Sequence, residues 1–360
     1  MPKVSLENIS MRFGDITAVS NIDLVIKDGE YVTILGPSGC GKTTLIKMIS
    51  GILVPSEGRV LIDGKDVTGL PIEDRDNGYV FQNIALFPHL NLEKNVAYGQ
   101  RVRDRPKDKQ KEVSHRYLEL VNMLDRMQML PGELSGGEQQ KVAIARALAS
   151  GSRLLLLDEP LSALDARVRV DLRYDIRRLV KDLGITVIHV THDQEEAMSV
   201  SDRIVLMRNG SIVESDAPMN LYRSPNNIFT AYFIGETNLL LGAVSRRDEK
   251  NVYVMLRDGS EVRVKETPFK RHDAVVLSVR PEYVYTANEG LKAEVEEIIF
   301  MGTYWRIRTT AESEDKVEYN VPIDNDLPCI GDVVYLVFNR KMTMAYERPR
   351  QGLEEAIKLE

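Results

Sequence analysis

The nine residues Gly36-Pro37-Ser38-Gly39-Cys40-Gly41-Lys42-Thr43-Thr44 follow the apolar run Tyr31 to Leu35 and open a helical stretch, Thr43 to Ser50. A strand that breaks into a glycine-rich turn and then starts a helix aims several backbone N–H groups and the positive end of the helix dipole at one point. Phosphate suits that point. Lys42 can reach the β and γ oxygens of a nucleoside triphosphate, the Thr43 hydroxyl is placed to ligate Mg²⁺, and Thr44 adds a second hydroxyl. The spacing predicts a phosphate loop.

Three other stretches carry chemistry. Leu154 to Leu157 is a continuous apolar run, the pattern of a strand buried on both faces of a parallel sheet, and it ends in Asp158-Glu159-Pro160. An acidic turn after a strand is unremarkable by itself, but carboxylates at the exit of a central strand are costly unless something uses them. Beside a phosphate loop, Asp158 reads as the group that orients Mg²⁺ through water, and Glu159 as a base that polarises an attacking water. A second buried strand, Thr186 to Val190, leads into Thr191-His192-Asp193. His192 is either a plain loop histidine or, at the end of a strand neighbouring the phosphate loop, a γ-phosphate contact, and the second is expected. The third stretch, Leu134-Ser135-Gly136-Gly137-Glu138, opens a helix that runs to about Ser150. Ser135 and Glu138 have capping-box spacing, which accounts for both. Capping does not account for two consecutive glycines. Bare backbone at a helix start suits a second phosphate contact.

The elements that must position these groups follow from hydrophobic period. Strands are expected at Val4 to Ile9, Ile22 to Ile26 and Tyr31 to Leu35, with Phe13 in a loop between the first two, as readily core as a platform for a base. Alternation over Gly58 to Thr68 and a short strand, Gly78 to Phe81, bring the chain to Gln82. Residues 83 to about 150 change to helical spacing, with the charged run Arg101 to Lys111 as a solvated face. A helix is predicted from Ala163 to Leu183, its apolar face carrying Leu164, Val168, Leu172, Ile176, Leu179 and Leu183. Arg203 to Glu214 reads as a hairpin over Asn209-Gly210. Beyond about residue 236 short strands recur, at Asn251 to Lys265 as a hairpin, then Ala274 to Val279, Ala293 to Phe300, Tyr304 to Thr309, Lys316 to Val321, Val333 to Phe338 and Met342 to Tyr346. That spacing suggests a small barrel. The tail from Arg348 is charged and reads as a frayed helix.

At 360 residues the chain exceeds one ordinary core, so two or three domains are expected. Its net charge of -7 supplies no general basic field, and nucleic acid is not expected as a partner. No apolar run approaches the roughly 20 residues that span a bilayer. Met1-Pro2-Lys3-Val4-Ser5 does not read as a signal peptide, so the chain is expected in the cytoplasm. The two cysteines, Cys40 and Cys329, are expected as free thiols.

In their order and context the phosphate loop, Gln82, Leu134 to Glu138, Leu157-Asp158-Glu159-Pro160, Leu161-Ser162-Ala163-Leu164-Asp165 and Thr191-His192-Asp193 resemble the ABC-type ATPases. The resemblance covers the first 235 residues. The remainder resembles the oligomer-binding-type barrel appended to ATPase subunits of importers for sugars, polyamines, ferric iron or oxyanions such as sulfate. Phe81 to Leu90 and Phe233 to Asn238 look most like the polyamine and sugar branches, and Arg280-Pro281-Glu282 resembles a motif of the accessory domain. The fold implied is an α/β phosphate-loop ATPase domain over 1–235, with a helical subdomain over about 83–150. An all-β, barrel-like domain over 236–350 and a charged tail, 351–360, would follow.

The resemblance implies ATP and Mg²⁺ as cofactors. Gly36, Pro37, Ser38, Gly39, Cys40, Gly41, Lys42, Thr43 and Thr44 would hold the phosphates, and Phe13 would stack on adenine. Thr43, Gln82 and, through water, Asp158 would serve the metal, while Glu159, His192 and Gln82 would form the catalytic set. Ser135, Gly136, Gly137, Glu138 and Asp165 would act in trans, on ATP bound to a second copy of the chain. The partners implied are that second copy, integral membrane permease subunits docking near Gln82 to Leu90, and, indirectly, an extracytoplasmic solute-binding protein. The location implied is peripheral, on the cytoplasmic face of the membrane. Two positions depart from the family pattern: Glu138 stands where glutamine is common, and Lys141 where arginine is frequent, which removes a bidentate contact. A non-transport ATPase of the same type is the rival reading, although such proteins usually carry a long coiled coil or a second cassette. A further expectation is that the barrel recognises an effector or partner that regulates the ATPase.

Overall fold

The computed structural model describes residues 2–162, 164–248 and 251–359. Two compact units divide after Pro218. In chain order the first contains β1 (Val4–Phe13), β2 (Ile16–Ile26), β3 (Tyr31–Leu35), α1 (Lys42–Ser50), β4 (Glu57–Ile62), β5 (Lys65–Asp66) and β6 (Asn77–Val80). Then come α2 (Leu92–Val96), α3 (Tyr98–Val102), α4 (Lys107–Leu120), α5 (Gly136–Ala149), β7 (Leu154–Asp158), α6 (Ala166–Asp182), β8 (Thr186–Thr191), α7 (Gln194–Val200), β9 (Arg203–Arg208) and β10 (Ser211–Asp216).

Two sheets organise this unit. An antiparallel sheet runs in the order β2-β1-β4-β5, and a six-stranded sheet in the order β10-β9-β3-β8-β7-β6. In the second sheet β9, β3, β8, β7 and β6 are parallel and only β10 is antiparallel. Every residue of β3, β7 and β8 is buried, because their aliphatic side chains alternate between two cores. Leu154 and Leu156 pack with α1 and the antiparallel sheet, whereas Leu155 and Leu157 pack with α5, α6 and the helical segment. The parallel direction carries the exits of β3, β8, β7 and β6 to one edge, where ligand sites form in open α/β sheets.

Several expectations shift. β1 and β2 are longer than the apolar pattern suggests, and Phe13 is the last residue of β1, paired with Ile16 across Gly14-Asp15, rather than a loop residue. It is 48% exposed. α6 starts at Ala166 because the Asp165 carboxylate accepts the Val168 N–H at 3.0 Å, an N-cap that sets the first turn. Ala163, expected to open this helix, lies outside the described residues. Val168 is 37% exposed, and the buried apolar stripe is Leu172, Ile176, Leu179 and Val180.

The second unit runs from Met219 to Lys358. After α8 (Pro218–Arg223) and α9 (Ile228–Phe233) it is built from β11 (Asn238–Arg247), β12 (Val252–Leu256), β13 (Glu261–Val264), β14 (Ala274–Val279), β15 (Val284–Ala287), β16 (Leu291–Phe300), β17 (Tyr304–Ala311), β18 (Lys316–Pro322), β19 (Val333–Phe338) and β20 (Met344–Glu347), with α10 (Leu353–Ile357) last. These strands form two five-stranded sheets, β13-β12-β11-β14-β20 and β15-β19-β16-β17-β18, that share one core including Leu240, Val254, Leu277, Ile307 and Leu336. The barrel-like part is thus two antiparallel sheets of oligomer-binding type.

α8 and α9, placed by sequence before a boundary at 235, group with the β-rich part. The physical reason is Arg280. Its buried guanidinium lies 4.0 Å over the Tyr222 ring and donates to the carbonyls of Tyr222 at 3.0 Å and Glu236 at 3.0 Å. Glu282 of the same motif accepts the Tyr222 hydroxyl, and Tyr346 donates to the Pro225 carbonyl at 2.9 Å.

Candidate active site

The phosphate loop leaves β3 and closes on α1 through Gly41, whose φ of +101° lies in the left-handed region. A Cβ there would stand 2.4 Å from the Ala18 carbonyl oxygen of β2, so glycine is required by both conformation and space. α1 has no side-chain cap and no acid in its first turn. Its first N–H groups, on Lys42, Thr43 and Thr44, have no acceptor within the helix. Lys42 is 5% exposed, and its ammonium folds back onto the carbonyls of Gly36 at 2.9 Å and Pro37 at 2.7 Å. Cationic and N–H donors converging on one bare helix start fit a polyanionic phosphate chain.

At the neighbouring strand ends the expected side chains meet. The Thr43 hydroxyl donates to Asp158 Oδ1 at 3.3 Å, and the Tyr79 hydroxyl donates to Oδ2 at 2.8 Å. Burial pushes the Asp158 carboxyl above its ordinary value, opposed by the Tyr79 bond, the Lys47 charge and the Thr43 bond. A hydroxyl and a carboxylate are hard oxygen donors, and two such groups with phosphate oxygens and water fit Mg²⁺.

Glu159 follows in the left-handed region, φ +46°, a strained geometry for a non-glycine residue of the kind that gathers at functional sites. Its backbone is fixed by Glu159 N–H to the Val190 carbonyl at 2.9 Å, and the Ser162 hydroxyl donates to its carbonyl at 3.0 Å. Its carboxylate accepts from Gln82 Nε2 at 3.0 Å and lies 3.3 Å from His192 Nδ1. Side chains from two strand exits, Gln82 after β6 and His192 after β8, therefore converge on one oxygen, Glu159 Oε2, at the exit of β7. Such a carboxylate can take a proton from a water beside the phosphate loop.

The start of α5 is a separate location. Ser135 N–H and Oγ each donate to Glu138 Oε2 at 2.9 Å, and Glu138 N–H returns to Ser135 Oγ at 3.4 Å, a complete capping box. Arg126 pairs with the other Glu138 oxygen. Among the described residues no hydrogen bond links Ser135–Glu138 to the phosphate loop. The paired glycines also have a packing cause: a Cβ at Gly137 would sit 2.5 Å from Val168 Cγ1, and one at Gly136 would sit 3.1 Å from Leu164 Cδ2. Asp165 is engaged as the α6 cap. Lys141, standing for arginine, pairs with Asp175 at 2.8 Å.

Sequence reasoning missed Tyr79 and Arg126. Tyr79 left a faint signal, a tyrosine on a short buried strand three residues before Gln82. Arg126 left none, since its partner lies across a turn.

These features define a phosphate-loop nucleotide hydrolase with an all-β accessory unit. The profile described as ABC transporter matches residues 19–162, and that described as TOBE domain matches residues 277–345. The spermidine/putrescine import ATP-binding protein PotA 2 of Pseudomonas aeruginosa is 41% identical over 325 residues, covering 90% of this chain and 88% of that protein. PotA of Thermotoga maritima is 42% identical over 83% of this chain and 84% of its own length, and the Fe(3+) ions import ATP-binding protein FbpC of Fusobacterium nucleatum is 38% identical over 98% and 96%. The dimeric ATP-binding cassette MJ0796 in a post-hydrolysis state, bound to ADP and Pi, superposes with a TM-score of 0.54 at 32% identity, over 60% of this chain and 98% of that one. The chain belongs to the ABC transporter family. It is the ATP-binding, ATP-hydrolysing subunit of an ABC-type importer, with a C-terminal TOBE domain.

Proposed function

We propose that two copies of this chain close head to tail over two molecules of ATP, and that hydrolysis powers solute import through separate membrane subunits. The observation that carries the catalytic assignment is Glu159 Oε2, held by Gln82 and His192 one residue past Asp158. Lys42 and the α1 N–H groups bind the phosphates, with Gly36, Pro37, Ser38, Gly39, Cys40, Gly41 and Thr44 completing the loop and Phe13 stacking on the base. Mg²⁺, when bound, supplies charge neutralisation to the transferring phosphoryl group. Thr43 and, through water, Asp158 would hold it, with Gln82 at its edge. Glu159 orients the attacking water and accepts its proton, and His192 keeps that carboxylate aimed and contacts the terminal phosphate. Ser135, Gly136 and Gly137 contact the nucleotide of the opposite copy, with Glu138 behind them and Asp165 across the same interface. The dimeric structures of the similar cassette support this pairing.

No helix among the described residues is long and apolar enough to cross a membrane, so the work of import passes to permease subunits. The segment Gln82 to Leu90 is the proposed docking surface, on the cytoplasmic face, with an extracytoplasmic binding protein delivering the solute. A polyamine is the proposed solute, supported by relatives named for spermidine and putrescine. Ferric iron is the second reading, because a relative named for it aligns over 98% of this chain.

Glu159→Gln tests the assignment. Turnover is expected to fall by roughly 10²–10⁴-fold while ATP binding persists and an ATP-bound dimer accumulates, read by light scattering. Turnover at the original rate would remove Glu159 from the mechanism. The same variant purified in detergent with MgATP is expected to carry integral membrane subunits.

A further inference from the structure

Glu138 sets an electrostatic problem at the start of α5. A carboxylate in the first turn favours the helix dipole, yet it lies beside the glycines proposed to meet a polyphosphate. It also holds the Ser135 hydroxyl, which donates its proton to Glu138 Oε2 and so is engaged within the chain. Hydrogen bonds from the Ser135 N–H and hydroxyl, then the Arg126 charge, keep the carboxyl below its ordinary range and therefore charged. Arg126 comes from the single turn after α4, Leu124–Arg126, twelve residues earlier in the chain. Its guanidinium takes Oε1, the oxygen that the capping box leaves open.

Resting on the trans-site reading above, we propose that Arg126 is a positioning residue for the contact between α5 and the opposite nucleotide. It neutralises Glu138, which removes the repulsion toward phosphate and weakens the carboxylate's hold on the Ser135 hydroxyl. The serine can then turn outward while its own N–H stays capped. The pair is half-exposed, with side chains 44% and 28% accessible, so its direct worth to folding is small. Its worth lies in the field at the helix start. A glutamine at 138 would accept the Ser135 N–H without carrying charge, and Arg126 would then be dispensable.

That conditional gives the test, run in the Glu159→Gln background. Arg126→Gln is expected to raise the MgATP concentration for half-maximal dimerisation by about fivefold, the upper end of what one solvent-accessible charge pair supplies. ATP binding to the dilute monomer should be unaltered, and the melting temperature should shift little. Adding Glu138→Gln is expected to bring the Arg126→Gln value back within about twofold of that of Glu138→Gln alone. Equal losses from Arg126→Gln with and without the Glu138→Gln substitution, or a loss of monomer ATP binding, would overturn the proposal. If the Glu159→Gln parent itself does not dimerise with MgATP, the trans-site reading fails first, which separates the two failures.

Discussion

α1 and α5 both begin on glycine-flanked backbone, but they resolve their unpaired N–H groups in opposite ways. α1 has Gly41 in the left-handed region at its cap, no capping side chain, no acid in the first turn and the Lys42 ammonium folded beside it. α5 has a serine cap, a reciprocal glutamate and an arginine behind that glutamate. The first arrangement leaves the positive helix end to be completed by a ligand in the same chain. The second satisfies itself within the chain, and on the proposed trans reading it would loosen an internal bond to take a ligand from outside. The proposed two-copy site would need this asymmetry, because one half must wait without collapsing onto the wrong partner.

The largest expected effect breaks the α1 side. Lys42→Ala removes the one side-chain cation seated within the loop, and turnover is expected to fall by at least about a hundredfold, with weaker binding of a fluorescent ATP analogue. Retained affinity and turnover would mean that backbone N–H groups suffice and that the contrast with α5 has no electrostatic basis.

How far the sequence exposes this contrast depends on whether the signal is local. The phosphate loop, the Asp158-Glu159 exit and the capping box are each written within nine residues, so period and spacing reveal them. The convergence of Gln82, Glu159 and His192 is written only in the strand order β6-β7-β8, which parallel pairing creates and no single window contains. Arg126 and Tyr79 act through contacts across 12 and 79 residues, and little near either one marks it. In the second unit Arg280 anchors residues from Tyr222 to Glu236, so a boundary drawn where the sequence pattern changes falls after α8 and α9.

A sharper break concerns why α5 begins with two glycines. Gly137→Ala would drive a Cβ to 2.5 Å from Val168 Cγ1, and a helical valine has essentially one χ1 rotamer with which to retreat. The expected cost is about 1–3 kcal/mol, seen as a lowered melting temperature. Gly137→Ala with Val168→Ala relieves that clash, so stability should recover while ATP-driven dimerisation and turnover stay low, since the new methyl still covers the helix start. Recovery of turnover together with stability would assign Gly137 to packing alone and leave α5 with no ligand role at that position.

The smallest effect tests how closed the α1 side is. Cys40 is buried, with its sulfur 3.8 Å from Lys42 Nζ, whereas Cys329 is exposed. Burial pushes the Cys40 thiol above its ordinary pKa, against the opposing pull of Lys42. A raised pKa lowers the thiolate fraction at any given pH, so at neutral pH a maleimide should modify Cys329 first and Cys40 at least about tenfold more slowly. The Cys40 rate should climb with pH past the range where an ordinary thiol levels off. Modification should inactivate the enzyme, and MgATP should slow it further. Mass spectrometry of labelled peptides over a pH series reads both sites at once. Cys40 reacting as fast as Cys329 would show that the loop opens in solution, and the α1 site would then be assembled by its ligand, as is proposed for α5.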